Sequence, residues 1–242
     1  MSNVAIMASF PPRIGNLALS IPTVSRQVDK LYLILNQFNE VPSSLSLPSN
    51  VEVILPPDDL KDTGKFVVHV QSDDFIFLCD DDILYPNNYV INMKSKLSQY
   101  EQLNAIIGVH GVTYPDFFDG AQNARLVHVF TQNLHGDSFV NQLGTGTVAC
   151  RGFHMPSFEF MRTSARFVDV RFALHCEMQG YPRICVERQK GWMSELKAGP
   201  SLFETFTKGW PIDVVREVQA IAGFRFLHQN ALLTASTQVN AA

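Results

Sequence analysis

Residues Phe75 to Pro86 read FIFLCDDDILYP, an apolar run that ends in three consecutive aspartates and then turns through Tyr85-Pro86 into a polar, helix-compatible segment. Phe75, Ile76, Phe77, Leu78 and Cys79 have the length and character of a strand buried on both faces. That puts Asp80, Asp81 and Asp82 at its carboxyl end, where open α/β sheets bind their ligands. Three adjacent like charges repel one another, so the cluster calls for a compensating cation or a set of donors. In extended backbone the side chains alternate, so Asp80 and Asp82 share one side, Asp81 takes the other, and two carboxylates can share one ligand. The plainer alternative is a solvated acidic turn, or an N-cap cluster for a helix near Asn87 to Ser98.

The rest of the first half repeats the same grammar. Val4 to Ala8 reads as a strand ending in Ser9-Phe10-Pro11-Pro12-Arg13, and Gly15 to Val28 has helical spacing interrupted by Pro22. Leu31 to Leu35 reads as a strand ending at Asn36, Asn39 to Asn50 as a loop, and Val51 to Leu55 as a strand ending at Pro56-Pro57-Asp58-Asp59. A short helix over Phe66 to Gln71, another over Asn87 to Tyr100 and a strand over Ala105 to Val109 complete the pattern. Strands alternating with helices predict an α/β fold with a mainly parallel central sheet flanked by helices. The carboxyl ends of its strands would line Ser9 to Arg13, Asn36, Asp58-Asp59 and Asp80 to Asp82 along one rim.

The second half is less regular. Tyr114 to Gly120 is an aromatic loop with two acids, Asp116 and Asp119, and Arg125 to Thr131 alternates like a strand. Leu143-Gly144-Thr145-Gly146-Thr147 leads into the apolar Val148 to Cys150; its glycines permit close backbone approach to a ligand or a tight bend. They do not form a phosphate loop, which needs a Gly-Lys-Ser/Thr ending. Asp169 to Gln179 reads as a helix with Gly180 as its stop and Asp169 in its first turn, followed by a strand over Tyr181 to Val186.

With 242 residues and 46% apolar content, one domain over residues 1–232 with a tail over 233–242 is expected. A net charge of -4 with no basic stripe argues against a nucleic-acid partner. Cys79, Cys150, Cys176 and Cys185 show no Cys-x-x-Cys spacing and read as reduced, partly buried thiols. No apolar stretch approaches the length of a membrane span, and no basic segment followed by an apolar one opens the chain, so a cytoplasmic protein is expected.

Over roughly Val4 to Trp192 the order of motifs resembles a GT-A fold glycosyltransferase, similar to the family-2-like enzymes that use nucleotide-diphosphate sugars. Asp80-Asp81-Asp82 matches the family's Asp-x-Asp signature, which implies a Mn²⁺ or Mg²⁺ ion held by Asp80 and Asp82 against the diphosphate of a donor, a UDP-sugar first among them. The resemblance places Ser9, Pro12, Arg13, Asn36, Asp58, Lys65, Asp80 and Asp81 around the nucleotide, and implies a glycan or glycoconjugate acceptor. Phe167-Val168-Asp169-Val170 occupies the place of the family's catalytic acidic motif, with Asp169 as general base and inversion at the anomeric carbon as the outcome; the neighbouring second acid of the usual form is missing. A late histidine, His154 or His228, is a candidate third metal ligand by the same resemblance.

The chemistry of these residue types agrees. Hard divalent cations take one or two carboxylates plus phosphate oxygens and water. The metal offsets charge building on the departing diphosphate, and a carboxylate takes the proton of the acceptor hydroxyl. Trp192 resembles an aromatic wall for a sugar ring, and core packing explains it equally well. Phe117, Phe118, Asp116 and Asp119 are candidates for shaping an acceptor pocket, and Phe224, Phe226 and Leu227 for a packing stripe. Two competing functions remain. A sugar-phosphate nucleotidyltransferase would begin with a Gly-rich basic loop that Ser9 to Arg13 is not, and a non-catalytic sugar-nucleotide or glycan-binding module would keep the fold without turnover.

Overall fold

The computed structural model describes residues 1–121, 124–196 and 210–222. It is an α/β structure on a large, mostly parallel mixed sheet of eight strands. Strands β1 (Asn3–Ser9), β2 (Lys30–Leu35), β3 (Val51–Ile54) and β4 (Phe75–Asp80) run parallel in the spatial order β3-β2-β1-β4. Beyond β4 come β11 (Thr147–Arg151), β6 (Ile106–Gly108), β12 (Arg183–Cys185) and the edge strand β9 (Ser138–Phe139). Only β11 and β9 run against the others.

Burial on both faces explains why the strands are continuous apolar runs. Ala5 and Met7, Leu31 and Leu33, and Phe77 and Cys79 face one side, where they pack on Leu17, Ile21 and Val24 of α1 (Ile14–Ser25) and Val90, Met93 and Leu97 of α2 (Tyr89–Gln99). The alternate residues Val4, Ile6, Ile76 and Leu78 face the other side and meet Phe66, Met161 of α3 (Phe158–Met161), and Phe172 and Cys176 of α4 (Val168–Gln179). Each fully buried Val, Leu, Ile, Phe or Met among them stabilises the fold by about 1.5–3 kcal/mol relative to exposure. A third cluster seats α5 (Ile212–Ala222) on α4 through Val215, Val218 and Ile221 against Val170 and Ala173.

Several boundaries differ from the sequence expectation. Phe66 to Gln71 is not a helix; the helical turns lie earlier, as a 3₁₀ segment over Lys61–Phe66, because Phe66 is buried in the second apolar cluster and the chain must then extend toward β4. The strand expected over Arg125 to Thr131 shrinks to β8 (Leu126–His128), in a separate sheet with β7 (Gly111–Thr113) and β10 (Gln142–Leu143). Helix α1 stops at Ser25, three residues past Pro22, and Gly180 ends α4 at φ 72°, as its missing Cβ allows. The four cysteines are free and buried, and among the described residues no helix is long and apolar enough to cross a membrane. The tail over 233–242, His228, and the Phe224, Phe226 and Leu227 stripe lie outside the described residues.

Parallel β1 to β4 bring Ser9, Asn36 and Asp80 to one rim. Antiparallel β11 adds the loop that precedes it to the same rim, since Thr147 pairs with Cys79 and Arg151 with Phe75. His154, just past β11, therefore sits at the opposite edge of the sheet from the acids. There its Nδ1 accepts the Arg151 N–H at 3.0 Å and its Nε2 bonds the Asn104 carbonyl at 3.1 Å. Both nitrogens being engaged and remote, His154 is corrected from candidate metal ligand to structural ring.

Burial pushes the His154 imidazole down to about 4, the Asn104 carbonyl opposing. A depressed histidine favours the neutral form in the fold, so its contribution is complete above the unfolded pKa near 6.5 and is lost as pH falls toward 4. Urea denaturation of wild type and His154→Gln should show the difference between them shrinking by about 3 kcal/mol from pH 7 to pH 4. A difference that does not move with pH would show a solvated ring.

Candidate active site at the sheet rim

Each of the three aspartates meets a cation or donor carried on a neighbouring element. After β1 the chain passes through a 3₁₀ turn, Pro11–Arg13, whose prolines preset the backbone and turn Arg13 inward. Arg13 Nη1 donates to Asp81 Oδ1 and to Asp82 Oδ2, both at 2.7 Å. The Ser9 hydroxyl donates to the other oxygen of Asp81 at 2.5 Å. From the segment Lys61–Phe66, the Lys65 ammonium pairs with Asp80 Oδ1 and lies 3.4 Å from the Thr145 carbonyl. The Asp81 side chain is 4% exposed against 40% for Asp80 and 26% for Asp82, so Asp81 is the anchor and the other two look outward.

The glycine loop closes the other side. Tyr85 receives the Asp80 N–H at 2.8 Å and donates to the Gly146 carbonyl at 2.6 Å, pinning β4's end to the loop. A Cβ on Gly146 would lie 1.9 Å from Asp80 Oδ2, so a side chain here would have to displace the Asp80 carboxylate. Thr145 then donates both its N–H, at 2.8 Å, and its hydroxyl, at 2.6 Å, to Asp169 Oδ1 in the first turn of α4. The helix N-terminus suits that carboxylate, and Oδ2 is left without a protein donor among the described residues.

Lys65 is the electrostatic hub. Burial lowers its pKa, but Asp80 first, then Asp169 and Asp62, more than offset this and hold the ammonium charged. Burial pushes Asp62 up to about 6 against the Arg166 N–H and Lys65, and pushes Asp82 up to about 6, with Asp80 adding and Arg13 opposing. Asp81 is also raised, because burial outweighs Arg13 and Ser9, and Asp169 is raised by burial against the two Thr145 bonds.

The rim thus gathers Ser9, Arg13, Lys65, Asp80, Asp81, Asp82 and Asp169 into one electrostatically connected site. Asn36 stands behind it: its side chain donates to the Lys61 carbonyl at 2.9 Å and accepts the Leu60 N–H at 3.1 Å, so it positions the segment that carries Lys65. Pro12 is exposed on the outside of its turn and Asp58 is exposed on the loop after β3. Trp192 packs on Tyr89 with ring centroids 5.9 Å apart and gives its N–H to Asn88 at 3.1 Å. Four residues join unannounced: Asp62, Tyr85, Thr145 and His110. Only Thr145, between two glycines, carried a local signal. His110 adjoins the loop, where a Cβ on Gly144 would lie 3.2 Å from it, and burial pushes its imidazole down to about 4, Arg188 and Arg125 adding.

Among the described residues no group of three His, Cys, Asp or Glu side chains is arranged to hold a metal. Asp80 and Asp82 each have one oxygen outside their ion pairs, and that of Asp80, Oδ2, lies against Gly146. Two carboxylates suit an octahedral hard cation that completes its shell with phosphate oxygens and water. A hollow lined by Phe75, Leu97, Glu101, Arg151 and His154 lies at the other edge of the sheet and shares no residue with this site. No protein-family model matches the chain, and comparison with curated proteins returns no match.

Gly146→Ala should destabilise the protein by about 2 kcal/mol, the cost of overpacking against Asp80. Gly15→Ala, whose added methyl meets nothing within 4 Å, should be neutral or stabilising. Thermal unfolding of both variants checks the pair; equal effects would mean the loop yields.

Proposed function

We propose that the chain is a GT-A type glycosyltransferase that moves a sugar from a nucleotide diphosphate, a UDP-sugar first among candidates, to a hydroxyl of a glycan acceptor with inversion. The observation that supports it is the convergence of Asp80-Asp81-Asp82 and Asp169, from opposite halves of the chain, on Lys65 and Thr145.

In this reading Asp80 and Asp82 would hold Mn²⁺ or Mg²⁺ through carboxylate oxygens not used in their ion pairs. The ion supplies Lewis-acid neutralisation of charge on the departing diphosphate. Arg13 fixes Asp81 and Asp82 so that the pair keeps one geometry, and Ser9 locks Asp81 from behind. Lys65, buried behind Asp80, holds that carboxylate in place by charge. Thr145 ties up one oxygen of Asp169, so the other is the single site to which an acceptor hydroxyl can pass its proton. The raised pKa of that carboxylate makes it a stronger base than a solvated aspartate.

Release of nucleotide from UDP-sugars should be stimulated by Mn²⁺ in wild type and fall 10²- to 10⁴-fold in Asp169→Asn. No metal-stimulated release in either form would favour a non-catalytic binding module. Thermal-shift measurement against UDP-, GDP-, CMP- and dTDP-sugars with Mn²⁺ should single out one nucleotide, with stabilisation of about 2.7 kcal/mol at a hundredfold excess over Kd. Asp82→Asn should remove the metal-dependent part; a shift that survives it would place the ion elsewhere.

A further inference from the structure

The wall beside Asp169 contains a cation that the donor chemistry leaves unused. Tyr114, Phe118, Phe167 and Trp210 form a contiguous set of rings, with centroids 5.0 Å apart for Tyr114 and Phe118, 5.6 Å for Phe118 and Trp210, and 6.1 Å for Phe167 and Trp210. Phe167 is the N-cap residue of α4, two positions before Asp169, so the wall stands at the proton-accepting side of the site. Phe118 is buried and its carbonyl accepts from Gln219 of α5 at 2.9 Å, which ties the aromatic loop down, while Phe117 beside it is 94% exposed.

Arg125 lies with Cζ 5.5 Å from the centre of the Trp210 ring. The cation–π contact and a side-chain hydrogen bond to Tyr114 together order the guanidinium, and its other N–H donors suit a planar oxyanion. Its charge reaches both neighbours: burial raises the Tyr114 phenol, Arg125 opposes and Asp169 adds, while His110 is lowered in part by Arg125. Arg13, Arg171 and Arg183 each pair with a carboxylate, at 2.7, 2.5 and 2.7 Å. No carboxylate among the described residues pairs with Arg125. In a chain of net charge -4, a half-buried, pre-ordered arginine without an acid is an anion receptor in waiting.

We propose that Arg125, ordered on Trp210, binds an oxyanion, carboxylate or phosphoryl, carried by the acceptor saccharide. The role of acceptor rests on reading Asp169 as the base; the anion site does not. The sugar ring lies along the aromatic wall, its anionic group on the guanidinium edge and a hydroxyl toward Asp169.

Saturation-transfer NMR titration of the full chain, without nucleotide or metal, tests this with methyl β-D-glucuronoside, glucose 6-phosphate and methyl β-D-glucoside. At least one anionic ligand should bind tenfold or more tightly than the glucoside, and which one does so identifies the source of the oxyanion. Arg125→Gln should bring the preference to within twofold, and Arg125→Lys, a point charge without the fork, should retain part of it. Equal binding of all three ligands by wild type, or an intact preference in Arg125→Gln, overturns the proposal. The wild-type comparison holds even if a variant fails to fold. Anion preference without any nucleotide-dependent thermal shift would uphold this site and overturn the transferase reading, and the reverse result would do the opposite.

Discussion

Everything at the rim depends on three contiguous carboxylates being tolerated at the end of a buried strand. Two cations arriving from two different connections make that possible. Arg13 comes from the turn after β1 and Lys65 from the segment before β4, so neither is close in sequence to the acids it neutralises. Removing one partner of the buried Arg13–Asp81 pair leaves an uncompensated charge and typically costs about 3–5 kcal/mol. The acids are therefore part of the fold's electrostatics before they are part of any chemistry. The three contiguous carboxylates outnumber the two cations that pair with them.

The strands were legible because burial on both faces writes an unbroken apolar run, and β1, β2, β3 and β4 begin and end within a residue or two of that reading. The rim followed from strand direction alone. What the pattern could not carry was antiparallel β11: Val148 to Cys150 is apolar in either direction, and the direction decides whether the glycine loop or His154 meets the acids. Helix Phe66 to Gln71 failed because a short apolar patch does not reveal which turn is wound. Asn36 was found for its position, although its hydrogen bonds make it a brace for the Lys61–Phe66 segment. Tyr85 and Asp62 left no trace, since a tyrosine after a strand and an acid in a loop are ordinary until the partners are known.

Tyr85 and Thr145 together explain how the two halves are held in register. Tyr85 spans from the Asp80 amide to the Gly146 carbonyl, and one residue earlier Thr145 spans to Asp169. The chain of contacts runs from the end of β4 through three loop residues to the first turn of α4. Its members are backbone groups, short side chains and the buried Tyr85 ring, so little rotamer freedom remains to blur the spacing between the acid triplet and Asp169.

The antiparallel pairing of β11 with β4 also partitions where this architecture tolerates change. Side chains on β11 alternate between the two apolar clusters, so inserting or deleting one residue there would exchange the faces and drag the glycine loop away from the acids. The aromatic loop over Tyr114 to Gly120 lies outside the large sheet with Phe117 exposed, so a change of length there leaves the ladder's register intact. The acid side is held to a single length by its own ladder, and the aromatic side is not.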